Sequence, residues 1–313
     1  VPYPPIAPFE TGHLPVTDGH VLYWEASGNP DGVPALYLHG GPGGGAGTGV
    51  RRLFDPSRYR IVVFDQRGCG RSRPLASDAD ADLSANTTPH LLDDIEALRR
   101  HLGVDRWTLL GFSWGTTLAL AYALRHRDRV RAMVLGLVTT TSAADVRWIT
   151  EDVGRLFPEA HARFRAHVPP HLRDRPLVDA YATLLQDPDP SVHVPAARAW
   201  CDWEDAHVSL TPGHQPNPQF EDPAFRLGFA RLVTHYWRNA AFVDDLVEQA
   251  PRLDGIPAVL IHGRHDVSSP LDVPWRLNQR WSTSRLQVLE DGGHGGSSFP
   301  DAVVDAIASL PLA

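Results

Sequence analysis

The sequence predicts an α/β protein with a mostly parallel central sheet, helices on both faces and a helical cap inserted into it. Three features of the chain point there. Short apolar runs at residues 35–38, 60–64 and 107–110 end in glycine-rich loops, as strands buried on both faces do. Segments with helical spacing lie between such runs, so strand and helix alternate. From about residue 139 to 251 the alternation stops: proline and aromatic residues rise, strand-like runs vanish, and helical stretches such as 196–206 and 224–235 dominate. The expected division is a core of residues 1–139 and 251–313 with a helical insertion at 140–250.

The elements follow in order. Residues 13–16 and 21–26 flank Thr17-Asp18-Gly19-His20, and Asp-Gly is a strong hairpin-turn signal. Two buried strands follow, the first ending in His39-Gly40-Gly41-Pro42 and the second in Asp65-Gln66-Arg67-Gly68. Thr88-Pro89 opens a helix, with threonine as cap and proline in the first turn. Its apolar positions Leu91, Leu92, Ile95, Leu98 and Leu102 share one face, and Gly103 stops it. A strand at 107–110, a helix to about 127 and a strand at 130–138 complete the first half. After the insertion come a strand at 258–262, a helix at 270–281, a strand at 285–289 and a closing helix at 301–310.

Composition removes several classes of function. At 313 residues the chain suits one large domain or a core with an insertion. A net charge of −8 argues against a nucleic-acid partner, which leaves a basic footprint. All 29 basic residues are arginine, which excludes Schiff-base lysines, the phosphate-loop lysine and Ser-Lys dyads. Cys69 and Cys201 are too few for a disulfide scaffold and fit a reducing compartment. Neither a signal-peptide pattern nor the roughly 18 apolar residues of a membrane span is visible, so a cytoplasmic protein with no membrane partner is expected. Sixteen histidines show no metal-ligand spacing; His262-Gly263-Arg264-His265 comes nearest and reads as two unrelated histidines, so no metal is expected.

The chemistry centres on Gly111-Phe112-Ser113-Trp114-Gly115, set between a strand and a helix. Glycines two residues either side let backbones approach where a Cβ would clash, and the serine projects from the turn with a helix N-terminus behind it. A serine hydroxyl needs a base to take its proton and an acid to fix that base. Asp266 and His294 each lie just past a strand in the second half, where catalysts of parallel sheets collect. Their chain order, Ser then Asp then His, is that of an α/β-hydrolase triad. His265, Asp272 and Asp291 are nearby alternatives that this placement demotes. An oxyanion hole needs two backbone N–H groups; Trp114 supplies one and Gly41, in the loop after the early strand, the other.

These residues resemble the proline iminopeptidases, serine peptidases of the α/β-hydrolase fold with a helical cap. The matching pieces are residues 39–45 (His-Gly-Gly-Pro-Gly-Gly-Gly), 65–74 beginning Asp-Gln-Arg-Gly, Asn86-Thr87-Thr88, the segment around Ser113, Phe157-Pro158-Glu159, Trp200-Cys201-Asp202-Trp203-Glu204, and Phe229-Ala230-Arg231 with His235-Tyr236. The resemblance spans nearly the whole chain. It implies release of an N-terminal proline from small peptides with no metal or cofactor, and a role for Glu204 in holding the substrate's free amino group. The two tryptophans flanking Glu204 make it part of a pocket wall, which brings in Trp203.

The sequence departs from the family at the recognition site. A second glutamate usually stands where this chain has Val233, an arginine where it has Gly136, and Gly-His-Ser where it has Gly293-His294-Gly295. A charge-assisted hydrogen bond is worth roughly 1.5–3 kcal/mol, so losing one weakens ammonium recognition on the order of 10–150-fold. Asp205 or Asp202 could substitute, although adjacent helical positions point in different directions. Val233 then implies a more apolar acyl pocket, and Val233→Glu is expected to improve use of free-amine substrates. Two substrate readings follow: a prolyl aminopeptidase, or a sibling acting on another small amide or ester, such as that of a specialised metabolite. Dehalogenases and epoxide hydrolases of the same fold need an aspartate where Ser113 stands. The non-enzymatic alternative is an inactive fold kept as a binding module.

Overall fold

The computed structural model describes residues 1–311. β1 (Pro8–Pro15) and β2 (Val21–Gly28) form the expected antiparallel hairpin. Asp18 and Gly19 turn it with φ of 60° and 75°, a conformation that Asp-Gly tolerates well. β3 (Val33–Leu38), β4 (Tyr59–Phe64), β5 (Trp107–Phe112) and β6 (Val130–Gly136) follow. After the insertion come β7 (Ala258–Gly263) and β8 (Ser284–Leu289). The eight strands lie in the order β1-β2-β4-β3-β5-β6-β7-β8. β2 meets β4 antiparallel, and every pairing from β4 through β8 is parallel. β6 stops two residues short of its apolar run because Leu137, with φ of 56°, turns the chain out of the sheet.

The helices are α1 (Thr88–His101), α2 (Trp114–Arg125), α3 (Ala143–Thr150), α4 (Pro158–His167), α5 (Leu177–Gln186), α6 (Pro190–Val208), α7 (Pro223–Arg238), the single turn α8 (Leu246–Gln249), α9 (Asp272–Arg280) and α10 (Phe299–Ala308). Side chains alternate across each strand, so one strand feeds two cores. Leu36, Leu38 and Leu109 face the core closed by α1, α2 and α9. Ala35, Leu110 and Val134 face the one closed by α10 and the turn carrying Val50 and Leu53.

Helices α3 to α8 lie between β6 and β7, where the sequence places the insertion. Aromatic rings hold them together. Phe164 stacks on Tyr181 and Trp203 with centroids 4.4 and 5.3 Å apart, and Trp200 meets Trp237 edge-on at 5.7 Å. One helix start differs from the sequence expectation: Thr87, not Thr88, occupies the cap of α1 and makes no side-chain cap bond. Thr88 is buried and gives its hydroxyl to the Ala241 carbonyl, tying α1 to the end of the insertion.

Candidate active site

Ser113, between β5 and α2, has φ of 53° and ψ of −124°, a conformation costing an L-residue on the order of 1–3 kcal/mol. The surroundings over-determine it. Its N–H donates to the Gly136 carbonyl at 3.0 Å, and its carbonyl accepts the Thr116 N–H at 2.8 Å and the Thr116 hydroxyl at 2.7 Å. A Cβ on Gly111 would lie 2.5 Å from the Gly115 carbonyl oxygen, and one on Gly115 would overlap the Leu38 carbonyl. Both glycines are therefore required by backbone contact, as the sequence pattern implies.

Asp266 sits in the loop after β7 and His294 in the loop after β8. His294 Nδ1 donates to Asp266 Oδ2 at 2.8 Å, while Asp266 Oδ1 accepts from the Ser268 hydroxyl at 3.0 Å and the Ser269 N–H at 3.2 Å. With Nδ1–H committed to the carboxylate, the neutral ring keeps Nε2 as its acceptor. Burial alone would push the Asp266 carboxyl up, but the charge and hydrogen bond of His294 hold it down at about 2. Burial would lower His294; Asp266, and after it the charge of Glu204, raise it above its ordinary value instead. His265, Asp272 and Asp291 are all exposed. His262 is buried behind Asp266, with Nδ1 accepting the Val138 N–H at 3.0 Å and Nε2–H donating to the Ser269 carbonyl at 2.7 Å.

Ser113, His294, Gly41 and Trp114 share the wall of one cavity of about 390 Å³. Gly41 has φ of 115°, and a Cβ there would come 2.6 Å from the Gly43 nitrogen, so the loop is folded tightly on itself. A Cβ on the neighbouring Gly40 would approach Ser113 Cβ at 3.3 Å. This loop therefore lies directly against the serine.

The last turn of α6 lines the same cavity, contributing Glu204, Asp205, His207 and Val208. Glu204 Oε1 accepts from Trp200 Nε1 at 2.9 Å, and its Oε2 lies 3.2 Å from His207 Nε2. Asp205 Oδ1 accepts the Asn217 N–H at 3.1 Å, and burial raises its pKa. Adjacent positions reach one wall because the helix ends on the cavity and shows it a wide arc, which the expectation for Asp205 did not allow for. Asp202 is exposed and pairs with Arg198 at 3.3 Å.

Three expected substrate contacts lie elsewhere. Trp203 is not on the cavity wall: it is 1% exposed, stacks on Phe164 and donates to the Ile149 carbonyl at 3.0 Å. Val233 is completely buried in α7 and absent from the wall. Gly136 also lies off the wall, and a Cβ there would meet the Phe299 ring at 2.5 Å. An arginine at 136 needs Phe299 to move. Sequence reasoning missed His207 and Asn217 as wall residues; the α6 register was the available signal for the histidine.

Comparison with known proteins agrees with the fold and the family resemblance. Residues 34–299 match the family described as alpha/beta hydrolase fold. The chain is 48% identical over 305 residues to a probable proline iminopeptidase of Streptomyces coelicolor, covering 96% of this chain and 94% of that one. It is 43% identical to a proline iminopeptidase of Xanthomonas citri, covering 97% and 96%. The crystal structure of the proline iminopeptidase of Mycobacterium smegmatis superposes with a TM-score of 0.59 at 23% identity over 96% of this chain and 98% of that one, a likeness of fold. Among the described residues no helix is long and apolar enough to cross a membrane. The chain belongs to the proline iminopeptidase family of serine hydrolases, on the α/β-hydrolase fold.

Proposed function

We propose that this chain is an aminopeptidase that releases N-terminal proline from small peptides through an acyl-enzyme on Ser113. The observation carrying the reading is one cavity in which the strained Ser113 and the Asp266-paired His294 face the carboxylate of Glu204. Ser113 Oγ attacks the carbonyl carbon of the first residue as its proton passes to His294 Nε2. The N–H groups of Gly41 and Trp114 receive the developing oxyanion. His294 then protonates the departing amine, and water, activated by the same ring, hydrolyses the acyl ester. Glu204 takes the substrate's ammonium group, and Asp205 adds a second carboxylate to the same wall. Residues 140–250 act as the cap that carries this recognition. No metal or cofactor takes part in these steps. The buried thiols of Cys69 and Cys201, which are not joined in a disulfide, support a cytoplasmic location.

The aromatic and aliphatic part of the lining, Tyr37, Phe112, Val146, Ile149, Phe220 and Phe229, favours a second reading: hydrolysis of a neutral small ester or amide. Prolyl, alanyl and N-acylated chromogenic amides separate the two. Turnover of the prolyl amide alone supports the aminopeptidase; turnover confined to acylated or neutral substrates overturns it. Ser113→Ala is expected to lose kcat on the order of 10⁶-fold. A serine-directed phosphonate that fails to label the wild type would favour the binding-module alternative.

A further inference from the structure

We propose that Gln66 is a positioning residue that locks the two halves of the oxyanion hole together, an inference that rests on the assignment of Gly41 and Trp114 to that hole. The two N–H groups come from loops far apart in sequence, one after β3 and one after β5, and their spacing must hold while charge develops. The Gln66 side chain spans them. Its Oε1 accepts the Trp114 indole Nε1–H at 2.9 Å, and its Nε2–H donates to the His39 carbonyl at 3.0 Å. All three residues are buried, at 1–2% exposure.

The chemistry fixes the residue type. An indole N–H can only donate and a carbonyl can only accept, so the bridging group needs an acceptor and a donor side by side. A primary amide offers both, and turning it over would put donor against donor and acceptor against acceptor. The backbone of Gln66 adds a third tie: its N–H donates to His39 Nε2 at 3.0 Å. That acceptor role leaves the His39 proton on Nδ1, which donates to the Gly40 carbonyl at 2.9 Å. Gly40 precedes Gly41 and lies against Ser113. A chain of buried hydrogen bonds thus runs from the indole of the residue after the nucleophile, through Gln66, to the loop presenting the second donor. Buried and fully satisfied, such a network is rigid.

The test uses the full chain with Gln66→Met, Gln66→Glu and Trp114→Phe. Loss of a whole oxyanion donor costs about 10²–10³ in kcat, so a donor left misplaced is expected to cost about tenfold or more. KM is expected to stay within about threefold, because substrate ground-state contacts are untouched. Affinity for a boronic acid that forms a tetrahedral adduct on the serine is expected to fall in parallel with kcat. Gln66→Glu carries its own signature. Its carboxylate faces the His39 carbonyl without a proton, so its activity relative to wild type should rise as the pH falls and a protonated carboxyl restores the donor. If Gln66→Met does not fold, Gln66→Glu and Trp114→Phe, which removes only one end of the bridge, decide the matter on the folded fraction counted by phosphonate titration. Folded variants with kcat and boronate affinity within twofold of wild type overturn the proposal. So does a rise in KM with kcat unchanged. If Ser113→Ala retains activity, the underlying catalytic reading fails instead, whatever the Gln66 variants do.

Discussion

At the residue scale the proposed function gives Glu204 two jobs, and pH separates them. It would receive the substrate's ammonium group, and its charge also helps raise the pKa of His294. His294 acts as a base only when neutral, so kcat/KM falls as pH drops below its raised pKa, on the alkaline side of the ordinary value of about 6.5. Removing the Glu204 charge lowers that pKa. Glu204→Gln is therefore expected to move the acidic limb of kcat/KM to lower pH on an N-acylated ester, whose binding needs no ammonium contact. On a free prolyl amide the same variant should lose affinity by roughly 10–150-fold. An unmoved limb on the ester would show that Glu204 is electrostatically remote from His294. Val233→Glu, which the sequence alone recommends as a gain of amine recognition, has the opposite expectation from the structure. The side chain is fully buried away from the cavity wall, so a glutamate there strands a carboxylate or forces it to hold a proton. A lowered denaturation midpoint without improved KM for free-amine substrates is the expected result.

Between elements, one buried ion pair does what neither strand nor helix propensity can. Arg67, in the loop after β4, makes two parallel bonds to Asp94 in the middle of α1, at 2.6 and 2.8 Å, with both residues 1% exposed. The guanidinium also reaches the Ala85 carbonyl at 2.9 Å and the Thr17 hydroxyl at 2.8 Å, so it gathers the first hairpin, the loop before α1 and the helix itself. Asp94→Asn leaves the buried guanidinium with only the partly exposed Asp18 carboxylate, 3.4 Å away, as counter-charge, at a cost of up to about 3–5 kcal/mol. Urea unfolding should show a lower midpoint at an unchanged slope; a midpoint within error of wild type would refute the role. Much at this scale was legible in the sequence, because strands buried on both faces are continuous apolar runs and the Asp-Gly turn has few conformations open to it. The nucleophile turn was legible for the same reason: its two glycines answer to local backbone contact. The direction of cap side chains was not. Beside Glu204 in sequence, Trp203 reads as a pocket wall, yet it faces Phe164, because how α6 rotates among the cap helices is set by partners more than thirty residues away. Gln66 was hidden likewise, since its partners His39 and Trp114 are 27 and 48 residues distant.

Across the whole molecule, one set of ties between the cap and the core runs through α7 and the loop at residues 76–86. Arg231 donates to the carbonyls of Ala76 and Asp78 at 3.0 and 3.1 Å, and within the cap to that of Leu185 at 2.9 Å. One turn on, His235 Nε2–H donates to the Asn86 carbonyl at 2.8 Å, and Tyr236 gives its hydroxyl to Asn86 Oδ1 at 2.5 Å. Tyr236 also packs against Trp114 with centroids 4.6 Å apart, so the seat of the cap adjoins the nucleophile turn. Hydrogen bonds from a charged donor are worth about 1.5–3 kcal/mol each, and here two of them cross from cap to core. Arg231→Met keeps the length of the side chain and removes its donors. The freed carbonyls at 76 and 78 lose their partner in the cap, so hydrogen exchange should quicken in α7 and in residues 76–86 while β5 and β7 stay protected. In the proposed function substrate recognition depends on the distance from Glu204, on the cap, to Ser113, on the core, whereas the pairing of His294 with Asp266 lies within the core. KM for a free-amine amide is therefore expected to rise by about tenfold or more, with the rate of phosphonate labelling of Ser113 nearly unchanged. Equal losses in both would mean that Arg231 supports the core itself, and unchanged exchange in residues 76–86 would mean that the cap is seated by its apolar contacts alone.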